Sequence, residues 1–325
     1  MARKSMVQAI NEALFQKMED DKTVVVLGED VGVDGGVFRV TQGLIEKFGP
    51  ERVMDTPLAE SSIMGASVGM AINGLKPVVE IQFMGFIYQS FDQVLGHVAR
   101  YRHRSQGRYG MSLVVRAPYG AGVRALEHHS ESTEANFAHL PGLKVVIPSN
   151  PVDAKGLLIS AIEDPDPVIF LEPKRLYRLK KVEVPDEMYR TPIGVADIPR
   201  EGKDITLIGW GGMMPICLDA AEHVSKEGVD AEVIDLRTIV PFDIQKITAS
   251  VKKTGRLIIV QEAPRSFGVA AELAAQVGER SLLHLLAPVR RVTGYDIIPP
   301  LSKLEDYNYP NVERVVQAIH KTMEF

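Results

Sequence analysis

Short runs of β-branched and other apolar residues alternate with amphipathic segments along most of the chain. The apolar runs carry little polar alternation, which is typical of strands buried on both faces of a parallel sheet. The amphipathic segments repeat their apolar positions every three or four residues, as helices do. This pattern predicts an α/β protein in which helices cover a mostly parallel sheet.

The first half of the chain contains a complete series of such elements. Ser5 is a suitable N-cap for a helix that ends near Glu19. Strands are predicted over 23–27, 77–81, 112–115, 143–147 and 168–171, and further helices over 60–72, 86–104 and 153–163.

Periodicity fades between residues 172 and 203, where four prolines stand among closely spaced charged side chains. Such a composition is typical of a linker. A second series follows, with strands predicted over 205–208, 231–234 and 257–260 and helices over 213–227, 243–252 and 267–278. We therefore predict two α/β domains, over 1–190 and 191–325.

Composition narrows the classes of partner. The 325 residues, 45% of them hydrophobic, are sufficient for two domain cores. With 37 basic and 42 acidic side chains the formal charge is −5, so the chain lacks the basic excess that nucleic acid or an anionic membrane attracts. We expect binding to neither. We also expect no signal peptide and no membrane span, because no apolar run approaches the ~20 residues that a bilayer requires.

The cysteine count and the glycine spacing exclude two further types of site, those built on cysteine thiolates and glycine-rich loops that bind nucleotides. The single cysteine, Cys217, cannot form an internal disulfide or a thiolate metal cluster, which fits a reducing, cytoplasmic setting. The glycines at 28–36 and 209–212 match neither the dinucleotide fingerprint nor the phosphate loop.

One short motif suggests a hydrolase. Residues 65–69 read G-x-S-x-G, which would make Ser67 the nucleophile at a strand-to-helix elbow. The preceding residues, 59–64, are polar and compatible with a helix instead of a buried strand. Small residues that let a helix pack closely are the favoured interpretation, and a serine hydrolase is the alternative.

Glu60 is a second candidate. Thr56 and Pro57 resemble the N-cap and first residue of a helix, which leaves Glu60 too far along to complete a capping box. One interpretation is a first-turn acid stabilised by the helix dipole. The other is a carboxylate in an apolar site that hydrogen-bonds a protonated ring nitrogen.

Polar and aromatic residues follow the strand predicted over 77–81. Gln82 lies at its carboxyl end, where open α/β sheets bind their ligands. Phe83 and Phe86 come next, and either pack in the core or stack on a flat heterocycle.

A glycine-rich loop over 116–132 carries His128 and His129. Histidines on a mobile loop suit proton transfer near neutral pH, and a solvated loop histidine is the alternative. No two histidines show the i, i+4 spacing of a zinc-binding helix, so we expect no transition metal.

Several longer motifs occur together, and they run through most of the chain. They are GEDVG at 28–32, GGVF at 35–38, DTPLAE at 55–60, EIQF at 80–83, HSES at 129–132, KGLL at 155–158 and DLRTI at 235–239. In these motifs the chain resembles the E1 β subunits of thiamine-diphosphate-dependent 2-oxoacid dehydrogenases.

The resemblance implies a transketolase-like pyrimidine-binding domain followed by a transketolase C-terminal-type domain. It implies assembly with an E1 α subunit into an α2β2 heterotetramer whose active site lies between subunits. In that family the α subunit holds the diphosphate and Mg²⁺ through a Gly-Asp-Gly motif, and this chain contains no such motif. The implied cofactor is thiamine diphosphate with Mg²⁺.

The resemblance also implies roles for single residues. Glu60 corresponds to the acid that hydrogen-bonds N1′ of the cofactor's aminopyrimidine, while Gln82 and Phe86 line the same pocket. His129 corresponds to the residue that donates a proton or guides transfer to lipoyl. The implied reaction is oxidative decarboxylation of a 2-oxoacid with reductive acylation of the lipoyl group on the E2 acyltransferase.

Further implications concern a cation, the substrate and a partner. Residues 172–177, 262–264 and 294–296 resemble those of branched-chain members, whereas Phe86 resembles the residue of pyruvate members, so the resemblance favours branched-chain 2-oxoacids, with pyruvate next. The C-terminal Phe325 resembles that of relatives that dock the E2 subunit-binding domain. A non-catalytic assembly subunit is a further alternative. The residues that correspond to a structural K⁺ site, mostly through backbone carbonyls, are Leu113, Ala161, Asp164 and Asp166.

Overall fold

The computed structural model describes residues 1–325, and its elements follow the predicted alternation. There are fourteen strands: β1 (Ala2–Lys4), β2 (Val24–Gly28), β3 (Val53–Asp55), β4 (Lys76–Glu80), β5 (Val114–Tyr119), β6 (Lys144–Val146), β7 (Val168–Pro173), β8 (Val182–Val184), β9 (Asp197–Arg200), β10 (Ile205–Gly209), β11 (Ala231–Asp235), β12 (Thr238–Val240), β13 (Leu257–Pro264) and β14 (Arg290–Gly294).

The α-helices surround these strands, and none of them is long and apolar enough to cross a membrane. They are α1 (Met6–Asp20), α2 (Leu44–Phe48), α3 (Glu60–Ile72), α4 (Phe91–Gln93), α5 (Tyr101–Arg104), α6 (Glu134–Ala138), α7 (Pro151–Glu163), α8 (Met214–Ser225), α9 (Ile244–Thr254), α10 (Val269–Ser281), α11 (Glu305–Asn308) and α12 (Val312–Met323).

The strands form two large sheets, which confirms the predicted α/β class. The first has the order β12-β6-β7-β5-β4-β2-β3 and is parallel except for β12. The second has the order β14-β13-β10-β11-β9 and is parallel except for β9. A small antiparallel pair joins β1 to β8.

The structure corrects the predictions for two long segments, 86–104 and 172–203. The helix predicted over 86–104 is a 3₁₀ segment (Met84–Ser90), α4, a π-helical segment (Val94–Val98) and α5. Here tertiary packing dominates over periodicity, since a β-carbon at Gly85 would lie 2.2 Å from the carbonyl oxygen of His128. The segment 172–203 is more than a linker, because it contributes β8 to the small pair and β9 to the second sheet.

The two sheets share a core. One apolar cluster contains Ala117 and Val145 from the first sheet together with Ile208 and Ile234 from the second. Strand β12 lies beyond the predicted boundary at 190/191, yet it pairs with β6 at the edge of the first sheet. The boundary itself stays a prediction.

A buried ionic network crosses the first sheet. Arg116 on β5 is fully buried and donates from Nε and Nη2 to the two carboxylate oxygens of Glu172 on β7, at 2.8 and 2.9 Å. Its Nη1 donates to Glu80 on β4, whose pKa is raised by burial. Tyr177 donates its hydroxyl to Glu172. One guanidinium thus joins three adjacent parallel strands near their carboxyl ends.

Removing this guanidinium should destabilise the chain severely. Arg116→Met leaves two buried carboxylates without a cation, so the free energy of unfolding should fall by about 3–5 kcal/mol. Urea-induced unfolding of the purified chain measures the change. The control is Arg190→Met, which breaks the more exposed pair with Glu163 and should cost less than ~1 kcal/mol. Equal losses in the two variants would contradict a structural role for the network.

A second buried acid lies between the sheets. Glu134 at the start of α6 is fully buried, and the indole Nε1 of Trp210 donates to its Oε1 at 3.3 Å. The other carboxylate oxygen has no partner. Burial, with a contribution from the charge of Glu262, raises the pKa of Glu134 to about 7.

The only tryptophan should therefore report this titration. Because the folded-state pKa lies above the ordinary value of 4.5, the stability that the protonated acid contributes falls as pH rises from about 4.5 to 7. We expect Trp210 fluorescence to titrate near pH 7, and we expect Glu134 to account for at most ~3 kcal/mol of the fall in the free energy of unfolding over that range. Glu134→Gln should abolish the fluorescence change and reduce the fall in stability, whereas the exposed Glu222→Gln should keep both; the fall that is left in Glu134→Gln belongs to other buried acids such as Asp235, whose pKa burial also raises to about 7. A fluorescence transition that persists in Glu134→Gln would disprove the assignment.

Candidate functional site

Four of the predicted site residues follow strands at one edge of the first sheet. Strands β5, β4, β2 and β3 are adjacent and parallel, so their carboxyl ends lie side by side. Glu60 follows β3, Gln82 follows β4, and His129 lies on the loop that follows β5. Phe86 belongs to the 3₁₀ segment after Gln82. This edge is where α/β sheets carry their ligand sites.

Glu60 is the first residue of α3, so the helix predicted over 60–72 is confirmed and the interpretation of Thr56 and Pro57 as its N-cap and first residue is wrong. Thr56 and Pro57 do not begin it, because Thr56 donates its backbone N–H to the Gly28 carbonyl at 3.0 Å and so continues the pairing of β2 with β3. The N-cap is Ala59, which supplies no side-chain cap. The Glu60 side chain is 3% exposed and its Oε2 has no hydrogen-bond partner.

Glu29 is a functional candidate that the sequence reasoning missed. It follows the last residue of β2, is 6% exposed, and its Oε1 has no partner. Burial raises its pKa, and the negative charges of Glu60 and Asp30 raise it further. The available signal was an acid directly after a wholly apolar strand, since such a residue lies at the ligand edge of the sheet.

Gln82 is fixed by the loop that begins with Glu29. Its Nε2 donates to Asp30 Oδ2 at 2.8 Å. The same loop is held by Asp55, whose carboxylate accepts from the backbone N–H of Gly32 at 2.6 Å and of Val33 at 3.0 Å. The Gln82 amide is therefore positioned by a network local to this sheet edge.

Aromatic rings surround His129. The ring centroids of Phe83 and His129 lie 4.4 Å apart, and those of Phe86 and His129 lie 5.2 Å apart, both edge to face. Phe83, which had no assigned role in the sequence, packs on Phe86 as well. His129 Nδ1 is buried without a partner, whereas His128 points to an exposed position beside Glu127. The structure thus separates the two adjacent histidines into a site residue and a surface residue.

The unpartnered atoms define what this site can bind. A buried oxygen on Glu60 and a buried nitrogen on His129 are unfavourable unless a ligand supplies hydrogen bonds to them. Phe86 offers a ring beside His129, and the acids Glu29 and Glu60 favour a ligand with a proton or positive charge on a ring nitrogen. These residues fit an aminopyrimidine ring.

The residues predicted for a potassium site already have hydrogen-bond or ion-pair partners within the chain. Lys144 Nζ donates to both carboxylate oxygens of Asp164, at 2.7 and 2.6 Å, and Arg102 pairs with Asp166. These carboxylates are already neutralised, so backbone carbonyls are the available ligands. Those of Leu113 and Ala161 accept backbone N–H groups. The structure contains no group of three or more His, Cys, Asp or Glu side chains suited to a metal ion.

Ser67 does not fit a hydrolase nucleophile. It lies in the middle of α3, is fully buried, and donates its hydroxyl to the Ile63 carbonyl at 2.7 Å. A nucleophile elbow requires an exposed serine on a turn after a strand. The interpretation of 65–69 as a helix segment with small residues agrees with the structure.

Family comparisons cover nearly the whole chain. Residues 2–180 match the family described as "Transketolase, pyrimidine binding domain", and residues 194–315 match the one described as "Transketolase, C-terminal domain".

Curated relatives are similar over their full length. The chain is 53% identical to the pyruvate dehydrogenase E1 component subunit beta of Acholeplasma laidlawii over 321 residues, 99% of this chain and 98% of that protein. It is 50% identical to the protein of the same name in Bacillus subtilis (strain 168), over 325 residues and 100% of both chains.

Among solved structures, one described as "Split gene transketolase, inactive beta4 tetramer" superposes with a TM-score of 0.82 and covers 99% of both chains. Its identity of 22% supports the likeness of fold alone.

Proposed function

The chain belongs to the family of 2-oxoacid dehydrogenase E1 β subunits, with transketolase-type domains, and from this membership we infer that it is the β subunit of a pyruvate dehydrogenase E1 component. The observation that carries the proposal is the pair of buried, unpartnered atoms on Glu60 and His129 at the carboxyl edge of the first sheet. We propose a pyrimidine-binding domain over 1–190 and a transketolase C-terminal-type domain over 191–325.

We propose thiamine diphosphate as the cofactor, bound through its aminopyrimidine by Glu60, Gln82 and Phe86. When bound, this cofactor supplies the electron sink that decarboxylation of a 2-oxoacid requires. Glu60 accepts a hydrogen bond from the ring nitrogen N1′ at its free Oε2 and thereby holds a proton on that nitrogen. The low polarity of the site strengthens this bond, because water does not compete for the carboxylate.

Phe86 and Gln82 orient the ring. Phe86 presents an apolar face next to His129, and the Gln82 amide is held by Asp30. His129 holds or delivers a proton beside the rings of Phe83 and Phe86. Phe83 and Phe86 exclude water from its buried ring nitrogen. In this arrangement Glu60 holds the proton on the cofactor's N1′, and His129 supplies the proton that acyl transfer to lipoyl requires.

We propose that an E1 α subunit completes the site in an α2β2 heterotetramer and holds the diphosphate and Mg²⁺, since this chain contains no Gly-Asp-Gly motif. The acyl group passes to lipoyl on an E2 acyltransferase, whose subunit-binding domain docks near Phe325. The assembly is cytoplasmic. A structural K⁺ ion, bound through carbonyls of Leu113, Ala161, Asp164 and Asp166, stays a proposal.

Pyruvate is the substrate that the relatives favour, since those 49–53% identical over their whole length carry that activity in their names. The sequence motifs favoured branched-chain 2-oxoacids instead, and that preference stays a prediction. A serine hydrolase is disfavoured by the burial of Ser67. A non-catalytic assembly subunit is disfavoured by the presence of both Glu60 and His129.

The deciding experiment co-expresses the chain with an E1 α subunit and supplies thiamine diphosphate and Mg²⁺. We expect carbon dioxide release from pyruvate to exceed release from branched-chain 2-oxoacids. We expect Glu60→Gln to lower kcat by about a hundredfold or more, since it replaces the charged carboxylate that holds the N1′ proton by a neutral amide. The control is Glu46→Gln, which changes an exposed first-turn acid of α2 and should leave kcat unchanged. Full activity of Glu60→Gln would refute the catalytic assignment, and faster turnover of a branched-chain acid would reverse the substrate assignment.

His129 should affect the second half-reaction more than the first. In the assembled enzyme, His129→Ala should slow reductive acylation of lipoyl by roughly tenfold to a thousandfold while decarboxylation falls much less. Artificial electron acceptors report decarboxylation, and a lipoyl domain reports acyl transfer. His128→Ala serves as the matched control, because its side chain is exposed. Equal damage to the two half-reactions by His129→Ala would contradict this role.

A further inference from the structure

The loop that carries His129 is held by a carboxylate from the far end of the chain. The loop consists of residues 120–130, which follow β5 and include the turn that contains His129. Glu305, the first residue of α11, accepts the backbone N–H of Gly122 at Oε1 and that of Arg124 at Oε2, each at 3.0 Å. The Glu305 side chain is 2% exposed. One buried carboxylate therefore uses both of its oxygens on the backbone of the loop.

The loop needs such support because its own conformation is unfavourable. Arg124 has a φ of +51°, a region that side-chain-bearing residues rarely adopt, and Gly122 has a φ of +115°. Both residues are exposed, so little apolar packing holds them. Charge-assisted hydrogen bonds to backbone N–H groups are about twice as strong as neutral ones. Glu305 thus supplies the fixed point that the glycine-rich sequence lacks.

Two further contacts hold the beginning of the loop. Glu262, near the carboxyl end of β13 in the second sheet, accepts the backbone N–H of Ala121. Lys174 donates to the carbonyl of Gly120 from a buried position, and burial lowers its pKa to about 8. The carboxylates of Glu262 and Glu305 therefore reach the loop from the second half of the chain. The ammonium group of Lys174 reaches it from the residue after β7, the strand that pairs with β5.

The far end of the loop is held next to His129 itself. Tyr309, one residue after α11, donates its hydroxyl to the carbonyl of Ser130 at 3.2 Å and is 4% exposed. Glu305 and Tyr309 lie four residues apart and contact the loop on both sides of the turn Glu127–His129. The segment 305–309 thus spans the turn and fixes its two ends.

We propose that Glu305, assisted by Tyr309, is a positioning residue for His129, so that the second half of the chain sets the place of this histidine beside Phe83 and Phe86. The role of His129 in acyl transfer rests on the proposed function, whereas the clamp on the loop backbone does not. Glu305 contacts neither Glu60 nor Gln82 in the hydrogen-bond network. Its loss should therefore act on the histidine side of the site and spare the acid side.

The test compares Glu305→Gln with Asp306→Asn in the enzyme assembled with the α subunit. Glu305→Gln replaces one acceptor oxygen by an NH₂ group that cannot accept a backbone N–H. Asp306→Asn weakens the exposed ion pair between Asp306 and Arg124 on the same loop and leaves the backbone bonds in place. Each variant removes one negative charge from α11, but only Glu305→Gln breaks a hydrogen bond to the backbone of the loop.

Hydrogen exchange of peptides from 120–130 tests the clamp directly. We expect Glu305→Gln to exchange about tenfold faster in these peptides, as loss of roughly one charge-assisted bond implies, and Asp306→Asn to exchange as the wild type does. Unchanged exchange in Glu305→Gln would overturn the clamp. This readout needs no turnover, so a failure of the proposed 2-oxoacid activity leaves it interpretable.

The two half-reactions test the positioning of His129. In Glu305→Gln the ratio of lipoyl acylation to decarboxylation should fall about tenfold through kcat, with a smaller change in the KM for the 2-oxoacid. In a His129→Ala background the same substitution should add no further loss of acylation, because the group that it positions is absent. A full additional loss in that background, or faster exchange without any change in the ratio, would overturn the positioning role.

Tyr309→Phe provides a second route if Glu305→Gln does not fold. It removes one hydroxyl donor and should lower the same ratio about threefold, with faster exchange confined to the part of the loop around Ser130. A ratio and an exchange pattern equal to those of the wild type would count against the proposal.

Discussion

The pairing of Arg116 with Glu172 and Glu80 fixes the edge of the sheet from which the site is built. These three side chains lie on adjacent strands, and all three are buried within three residues of the carboxyl ends of their strands. The segments that follow carry Gln82, the His129 loop and Lys174. Because buried charges tolerate little displacement from their partners, the network fixes the relative positions of three strand ends, independently of contacts between the site residues themselves.

The site has two sides with different supports. Glu60, Glu29 and Gln82 are held by the first sheet and its short loops, through pairing of β2 with β3 and hydrogen bonds to Asp30 and Asp55. His129 stands on a long loop whose backbone is held from the second half of the chain. The acid side is thus fixed by local structure, and the histidine side depends on how the two halves pack.

This difference explains how much the sequence could predict. Periodicity located α3 and most of the parallel strands, although not β3 or β14, since these elements depend on local spacing. Gln82 follows from its place after a predicted strand, and Glu60 follows from its place at the beginning of a predicted helix. The interpretation of Thr56 and Pro57 as the cap of α3 was wrong because Thr56 extends a strand pairing with Gly28, a contact that local capping rules do not include. Glu29 and Phe83 acquire their roles only from neighbours on other strands. The contact of Glu305 with Gly122 spans more than 180 positions, and no local pattern encodes it.

Strand β12 shows that the linker is not a place where the chain can be divided. It lies after three strands of the second sheet, β9, β10 and β11, yet it covers the edge of β6 in the first. A fragment that ended in the linker would expose the N–H and C=O groups of β6 to any other extended chain, which is the usual route to edge-to-edge aggregation. The two sheets are therefore distinct in architecture, but neither half of the chain should be expressed without the other, because the first sheet needs β12 to cover its edge.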